Sequence, residues 1–213
     1  MKRPNFEEEK ILWEQGFKFV AGLDEAGRGP LAGPVVAAAV NLKFEIFNLK
    51  SILNNPIFQK INDSKKMTAK TREEVYIFLT KHPQIKWGIG IVSEKLIDKI
   101  NILEATKLAM QKAVKNLKAD YLLLDGNFVI NSIVRQKSII KGDQKVASIS
   151  AASIIAKVTR DRIMEKYHKK YPQYGFDKHK GYGTKLHIKN LEKHGPCQIH
   201  RKTFFPVSEL LDV

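Results

Sequence analysis

Tyr121-Leu122-Leu123-Leu124 is a short apolar run with no polar interruption, and it stops abruptly at Asp125-Gly126. Such a run reads as a strand buried in the middle of a sheet, with both faces covered by other elements. The chain offers partners for it. Lys18–Leu23 and Pro34–Leu42 read as strands, and Trp87, Ile89 and Ile91 alternate with Gly88 and Gly90 in a half-buried one. Ile133–Ile140 reads as another. Helical patterns lie between them: Thr71–Lys81, capped by Thr71 with Glu74 or by Thr68 and stopped before Pro83; Asn101–Leu117, amphipathic; Ser148–Tyr171, apolar and then basic. Thr184 and Gly195 bracket a short further helix. Strands alternating with helices predict an α/β fold with a mixed sheet. No repeat and no Ser/Gly linker divides the 213 residues.

Hydrophobic residues make up 43% of the chain, too many for disorder. Cys197 is the single cysteine, which excludes an internal disulfide framework and a cysteine-built zinc site. The longest nearly apolar stretch, Leu31–Val40, is interrupted by Gly33 and Pro34 and is about half of the roughly twenty residues a membrane span needs. Met1–Lys10 carries three consecutive glutamates and no apolar signal core. The expectation is therefore a cytoplasmic protein without a membrane partner. The formal net charge is +15, and it is unevenly placed: residues 157–202 hold 13 Lys or Arg against four acids. That is the footprint of a phosphate-backbone binder, or else a solvated Lys-rich surface. Lysines far outnumber arginines, which argues against base-specific readout.

Four acids stand out by position. Asp24 and Glu25 close the first strand, Asp125 closes the apolar one, and Asp143 follows Lys141-Gly142 just before the long helix. Ligands gather beyond strand ends in open α/β sheets, so each acid either caps the next element or belongs to a site. Several carboxylates brought together would repel one another unless a cation neutralised them, and hard oxygen donors favour Mg²⁺ or Mn²⁺ over zinc. Neighbours on a regular strand point to opposite faces, so Asp24 and Glu25 can both serve one ion only if the strand bends at its end or one of them takes part through its backbone or a water.

Gly27-Arg28-Gly29-Pro30 lacks the Gly-Lys-Ser/Thr of a phosphate loop and the G-x-G-x-x-G of a dinucleotide fingerprint. What it offers is backbone with little side-chain bulk, able to approach a nucleic-acid strand, with Arg28 for a phosphate. His194-x-x-Cys197-x-x-His200 supplies three ligands at an unusual spacing and reads as polar, basic surface. Ser148, Ser150 and Ser153 read as capping or packing hydroxyls at a helix start.

Gly22-Leu23-Asp24-Glu25-Ala26-Gly27-Arg28-Gly29-Pro30-Leu31-Ala32-Gly33-Pro34-Val35 closely resembles the signature of the type 2 ribonucleases H, ribonuclease HII. Asp63-Ser64-Lys65-Lys66, Leu124-Asp125-Gly126, Lys141-Gly142-Asp143, the segment Ser150–Asp161, His179–Thr184 and His200–Phe204 are similar to that family in the same order. The sister type, ribonuclease HIII, typically has Ser-Gly-Lys where this chain has Ala26-Gly27-Arg28, and carries a longer N-terminal extension.

The resemblance implies a ribonuclease H-like mixed β-sheet flanked by helices, with a helical C-terminal region: a catalytic core over 1–160 and a basic helical part over 161–213 packed on it, effectively one domain. It implies a monomer that cleaves the RNA strand of RNA–DNA hybrids and incises 5′ to ribonucleotides embedded in duplex DNA. By the same resemblance Asp24, Glu25, Asp125 and Asp143 bind two Mg²⁺ or Mn²⁺ ions, and hydrolysis leaves 3′-hydroxyl and 5′-phosphate ends. Gly27, Arg28 and Gly29 would line the ribonucleotide, Tyr182 would pack at the RNA–DNA junction, and Lys65 would touch a phosphate. Two other classes compete: a non-catalytic basic nucleic-acid binder, which has no use for four acids facing a phosphate, and a nucleotide-dependent transferase, for which the Gly-rich stretch lacks the Lys-Ser/Thr pair.

Overall fold

Five strands form one sheet: β1 Val20–Ala26, β2 Val35–Leu42, β3 Ile85–Val92, β4 Tyr121–Asp125 and β5 Arg135–Ile139. The computed structural model describes residues 3–42, 54–62, 64 and 67–211. The strand order is β3-β2-β1-β4-β5, with β2 antiparallel to both β1 and β3 and the β1–β4 and β4–β5 pairs parallel. The sheet is therefore mixed, and the Tyr121–Leu124 run sits inside it between two partners. The connection from β1 to its parallel partner β4 includes a helix, whereas residues 126–134 join β4 to the parallel β5 without one. Helices on both sides of the sheet supply the cover that a strand apolar on both faces demands.

The helices are α1 Glu7–Glu14, α2 Ala69–Lys81, α3 Glu94–Val114, α4 Ala147–Lys170, the short α5 Phe176–His179, and α6 Lys185–His194. The sheet separates two cores by side-chain parity. Val20, Ala38, Val40, Leu42 and Leu123 face α4, meeting Ile149, Ala152 and Ile155. Ala21, Leu23, Ala37, Ala39, Leu122 and Leu124 face α3, meeting Ile97, Ala105, Ala109 and Met110. A third, smaller cluster of Ala32, Met164, Tyr174, Phe176 and Ile199 joins the C-terminal helices to the loop after β1. Because α4 runs without interruption through position 160, the core and the C-terminal region share one helix.

Several element starts differ from the sequence pattern, each for a local reason. Of the two caps the sequence offers for α2, Thr68 is the one used, so the helix starts at Ala69: the Thr68 hydroxyl accepts the N–H of Thr71 at 3.1 Å. Helix α3 begins at Glu94, ahead of Asn101, but its backbone breaks at Asn101 (φ 64°, ψ 168°). There the Asn101 Oδ1 accepts the N–H groups of Leu103 and Glu104 at 2.9 and 3.1 Å, so Asn101 caps the second half of the helix. In β3 the alternating Trp87, Ile89 and Ile91 are not what faces α3; Gly88, Gly90 and Val92 are. A Cβ on Gly90 would fall 1.9 Å from the Ala109 carbonyl and one on Gly88 2.1 Å from that of Ala113, so these glycines let the helix backbone lie directly on the strand. Trp87 and Ile91 are left exposed. Helix α1, absent from the sequence pattern, lays Glu9 against the start of α4, where its Oε1 accepts the N–H of Ser148 at 2.8 Å. Among the described residues no helix is long and apolar enough to cross a membrane.

Candidate active site

Parallel pairing of β1 with β4 aligns Leu23 with Leu124, so the residue after each, Asp24 and Asp125, arrives at the same end of two adjacent strands. Strand β1 continues to Ala26 beside β2, overhanging the end of β4. A pocket of about 740 Å³ opens at this overhang, and Asp24, Glu25 and Asp125 all line it, together with Gly27, Arg28, Gly29 and Tyr182. Both Asp24 and Glu25 line the pocket although β1 is still paired with β2 at these positions.

Asp24 is buried on the α4 side. Its Oδ1 accepts the N–H of Glu25 at 2.7 Å, and the Ser153 hydroxyl of α4 also donates to its carboxylate. Ser153 in turn lies 2.9 Å from the Ser64 hydroxyl. Burial, then the nearby charges of Glu25 and Asp125, hold the Asp24 carboxyl well above the usual carboxylate range. Glu25 stands 3.4 Å from the Arg28 guanidinium, which also lies over the Phe128 ring. Asp125 Oδ1 accepts the N–H of Gly142 at 2.7 Å, tying the end of β4 to the turn that carries Asp143. Asp143 itself is buried in that turn and is not among the residues lining the pocket. Lys65 lies outside the described residues.

Arg201 holds the Gly27–Gly29 loop by its carbonyls, and a second buried arginine, Arg160, holds the segment that follows it. Arg201 donates from Nη2 to the Gly27 carbonyl at 2.6 Å, from Nη1 to that of Arg28 at 2.8 Å, and from Nε to that of Gly33 at 3.0 Å. Arg160 donates to the carbonyls of Pro34, Ala32 and Lys180 at 2.9, 3.0 and 2.9 Å. Gly27 has φ +100°, and a Cβ there would fall 2.1 Å from the Arg160 Nε, so only glycine fits. Burial lowers the Arg160 and Arg201 pKa values to about 10 and about 9. Tyr182 is 42% exposed and reaches toward Gly29, where a Cβ would meet its Cε1 at 3.8 Å.

Ser64, Arg72, Ser153 and Lys157 also line the pocket, none of them given a site role by the sequence pattern. Ser153 was expected to cap or pack, but it is a partner of Asp24. Its spacing from Ser150 and from Asp161 on one helix gave no signal, because the aspartate it meets lies on another element. Lys157 donates to Asp161 at 2.6 Å, and burial lowers its pKa. The expectation of a polar surface around His194, Cys197 and His200 fails for His200. That ring is buried and its Nδ1 accepts the Cys197 N–H at 2.9 Å.

Among the described residues, no group of three or more His, Cys, Asp and Glu side chains is gathered closely enough to hold a metal ion. The donor chemistry around the pocket nonetheless suits a hard divalent cation: Asp24, Glu25 and Asp125 offer carboxylate oxygens, with no thiolate or imidazole in the lining. Burial first and then the like charges of Glu25 and Asp125 raise Asp24, and a cation in the pocket would offset both.

The family model described as Ribonuclease HII matches residues 21–207. The chain is 51% identical over 208 residues to the ribonuclease HII of Chlamydia caviae, covering 97% of this chain and 92% of that one. It is 53% identical over 198 residues to the ribonuclease HII of Caldanaerobacter subterraneus subsp. tengcongensis, covering 92% and 78%. Among solved structures, the ribonuclease H2 of Pyrococcus horikoshii OT3 superposes with a TM-score of 0.70 at 27% identity, covering 91% of this chain and 97% of that one. Bst-RNase HIII in complex with Mn²⁺ superposes with a TM-score of 0.62, covering 92% and 70%; at 16% identity it supports the fold alone.

Proposed function

Since the chain belongs to the ribonuclease HII family, and is thus a metal-dependent ribonuclease H endonuclease acting on RNA–DNA hybrids, we propose that it also incises 5′ to single ribonucleotides embedded in duplex DNA. The observation that carries this reading is one pocket lined both by Asp24, Glu25 and Asp125 and by the Gly27–Gly29 loop with Tyr182. A site that must find one ribose among deoxyriboses needs carboxylates at the phosphate and a close, bulk-free wall at the sugar.

Asp24, Glu25 and Asp125, with Asp143 behind them, would hold two Mg²⁺ or Mn²⁺ ions. Bound there, such ions supply an activated water and charge stabilisation at the leaving 3′ oxygen. Ser153 fixes the rotamer of Asp24, and Gly142 fixes Asp125. Arg28 and Lys157, which line the pocket, would meet phosphates flanking the cut, and we assign Lys65 the same duty. The loop of Gly27, Arg28 and Gly29 meets the 2′-hydroxyl through its backbone, and Tyr182 stacks at the junction. The basic region over 161–213 forms the wall that holds the duplex against the core of residues 1–160, and the chain works as a monomer.

The test is a DNA duplex carrying one ribonucleotide, incubated with the protein with and without divalent metal. The expected result is metal-dependent incision on the 5′ side of the ribonucleotide, leaving a 3′-hydroxyl. Asp125→Asn should abolish cutting while duplex binding persists. Failure to incise with any metal, alongside normal cutting of a long RNA–DNA hybrid, would overturn the embedded-ribonucleotide reading. Normal cutting by Asp125→Asn would overturn the site.

A further inference from the structure

Behind Tyr182, away from the pocket, three buried histidines stack in a block: His179, His187 and His200. The rings of His179 and His187 lie with centroids 4.4 Å apart and planes 17° from parallel, and that of His200 is 5.3 Å from His187. Their hydrogen bonds fix every proton. The backbone N–H of Cys197 donates to Nδ1 of His200 at 2.9 Å. A ring nitrogen that accepts carries no proton, so His200 bears its proton on Nε2. Nε2 of His200 lies 3.1 Å from Nε2 of His187, and only one of the two can carry a proton, so His187 accepts there. The His187 proton is therefore on Nδ1, 2.9 Å from the carbonyl oxygen of Tyr182, to which it donates.

We propose that His187 and His200 are positioning residues for Tyr182, passing a hydrogen-bond chain of fixed direction from the Cys197 amide to the Tyr182 carbonyl. The proposal rests on the junction role assigned to Tyr182 above. Neighbouring carbonyls are held in the same manner: Lys180 by Arg160 at 2.9 Å and Gly181 by the Leu31 N–H at 2.8 Å. Three consecutive peptide groups are thus each pinned by a different element, and the ring of Tyr182 projects from the one whose carbonyl takes His187 as a second donor beside the Thr184 N–H at 2.8 Å. A charged ring would set N–H against N–H within the chain. In keeping with this, burial lowers the His187 and His200 pKa values to about 4.

Two measurements test it. Long-range ¹H–¹⁵N spectra of the intact protein should report His187 as the Nδ1–H tautomer and His200 as the Nε2–H tautomer; the reverse assignment would overturn the chain. In the second, a duplex with one embedded ribonucleotide is cut by His187→Leu, His187→Asn, Tyr182→Ala and the His187→Leu/Tyr182→Ala double variant. An amide nitrogen of Asn stands near the Nδ1 position, so it can still donate to the Tyr182 carbonyl. His187→Leu should lose roughly tenfold in kcat, His187→Asn should recover most of it, and His187→Leu should cost nothing further once Tyr182 is alanine. Loss in Tyr182→Ala with an additive loss in the double variant would overturn the positioning role alone. Unimpaired cutting by Tyr182→Ala would overturn the role of Tyr182 itself, and the proposal with it. If His187→Leu does not fold, the tautomers still decide.

Discussion

Asp24 and Asp125 stand side by side because Leu23 and Leu124, the residues before them, are register partners on parallel strands. Two carboxylates brought together by the sheet, one of them buried, are a standing electrostatic cost in the metal-free protein. Below the ordinary carboxylate range both folded and unfolded chains hold the Asp24 proton. As pH rises, the unfolded chain ionises first and the folded one resists, so folding stability falls through that window.

Asp24→Asn removes this penalty. At neutral pH without metal, the variant is expected to melt at a higher temperature than the parent, while cleavage disappears. Added Mn²⁺ should raise the melting temperature of the parent and do much less for the variant. Thermal unfolding with and without metal checks all three statements; a variant less stable than the parent would show that Asp24 is structural first.

How much of this was legible in the sequence depends on the range of each interaction. The interior strand at Tyr121–Leu124 was readable because a run apolar on both faces has few alternatives, and the acids at strand ends followed from it. Helix α1 was not, since Glu7-Glu8-Glu9 precedes only a short apolar patch and its purpose is a contact with Ser148. Nor could the sequence say that Gly27 is held by Arg201, 174 positions later. Asn101 shows an intermediate case: the pattern began a helix there because a cap is there, although the preceding turn is helical too.

Arg201 is fully buried and serves three carbonyls, two of them in the Gly27-Arg28 loop. Arg201→Met leaves those carbonyls without their donor, at an expected loss of about 3 kcal/mol. Arg201→Lys keeps the charge but offers its donors from a single point, and it should recover only part of that. Chemical denaturation gives the stability. Incision of an embedded ribonucleotide should fall even at temperatures where the variant remains folded, because the loop has lost its backing.

Glu9 caps the start of α4 from a buried position, and burial raises its pKa. The sign is the same as for Asp24: its contribution to stability is fullest at acid pH and is lost as pH rises through the folded value. Glu9→Gln keeps an oxygen for the Ser148 N–H without the buried charge. It should therefore be at least as stable as the parent at neutral pH, and its stability should vary less between pH 4 and pH 7. Glu9→Ala, which loses the cap, should be less stable than Glu9→Gln at every pH.

Residues 157–202 carry 13 Lys or Arg against four acids, and Lys157, the first of them, lines the pocket. If this region lies along a duplex, each phosphate it neutralises releases a counterion, and the logarithm of affinity falls with the logarithm of salt by about 0.9 per contact. Four contacts would weaken binding roughly a hundredfold between about 50 and about 200 mM salt. Lys157→Met isolates one contact: the salt slope should drop by about 0.9 if Lys157 meets a phosphate in the complex. Its ion pair with Asp161 competes for the same ammonium, so Asp161→Asn should tighten binding at low salt and leave the slope of the Lys157→Met variant unchanged. A slope identical in the parent and in Lys157→Met would place this lysine outside the phosphate track and leave it as the internal partner of Asp161 alone.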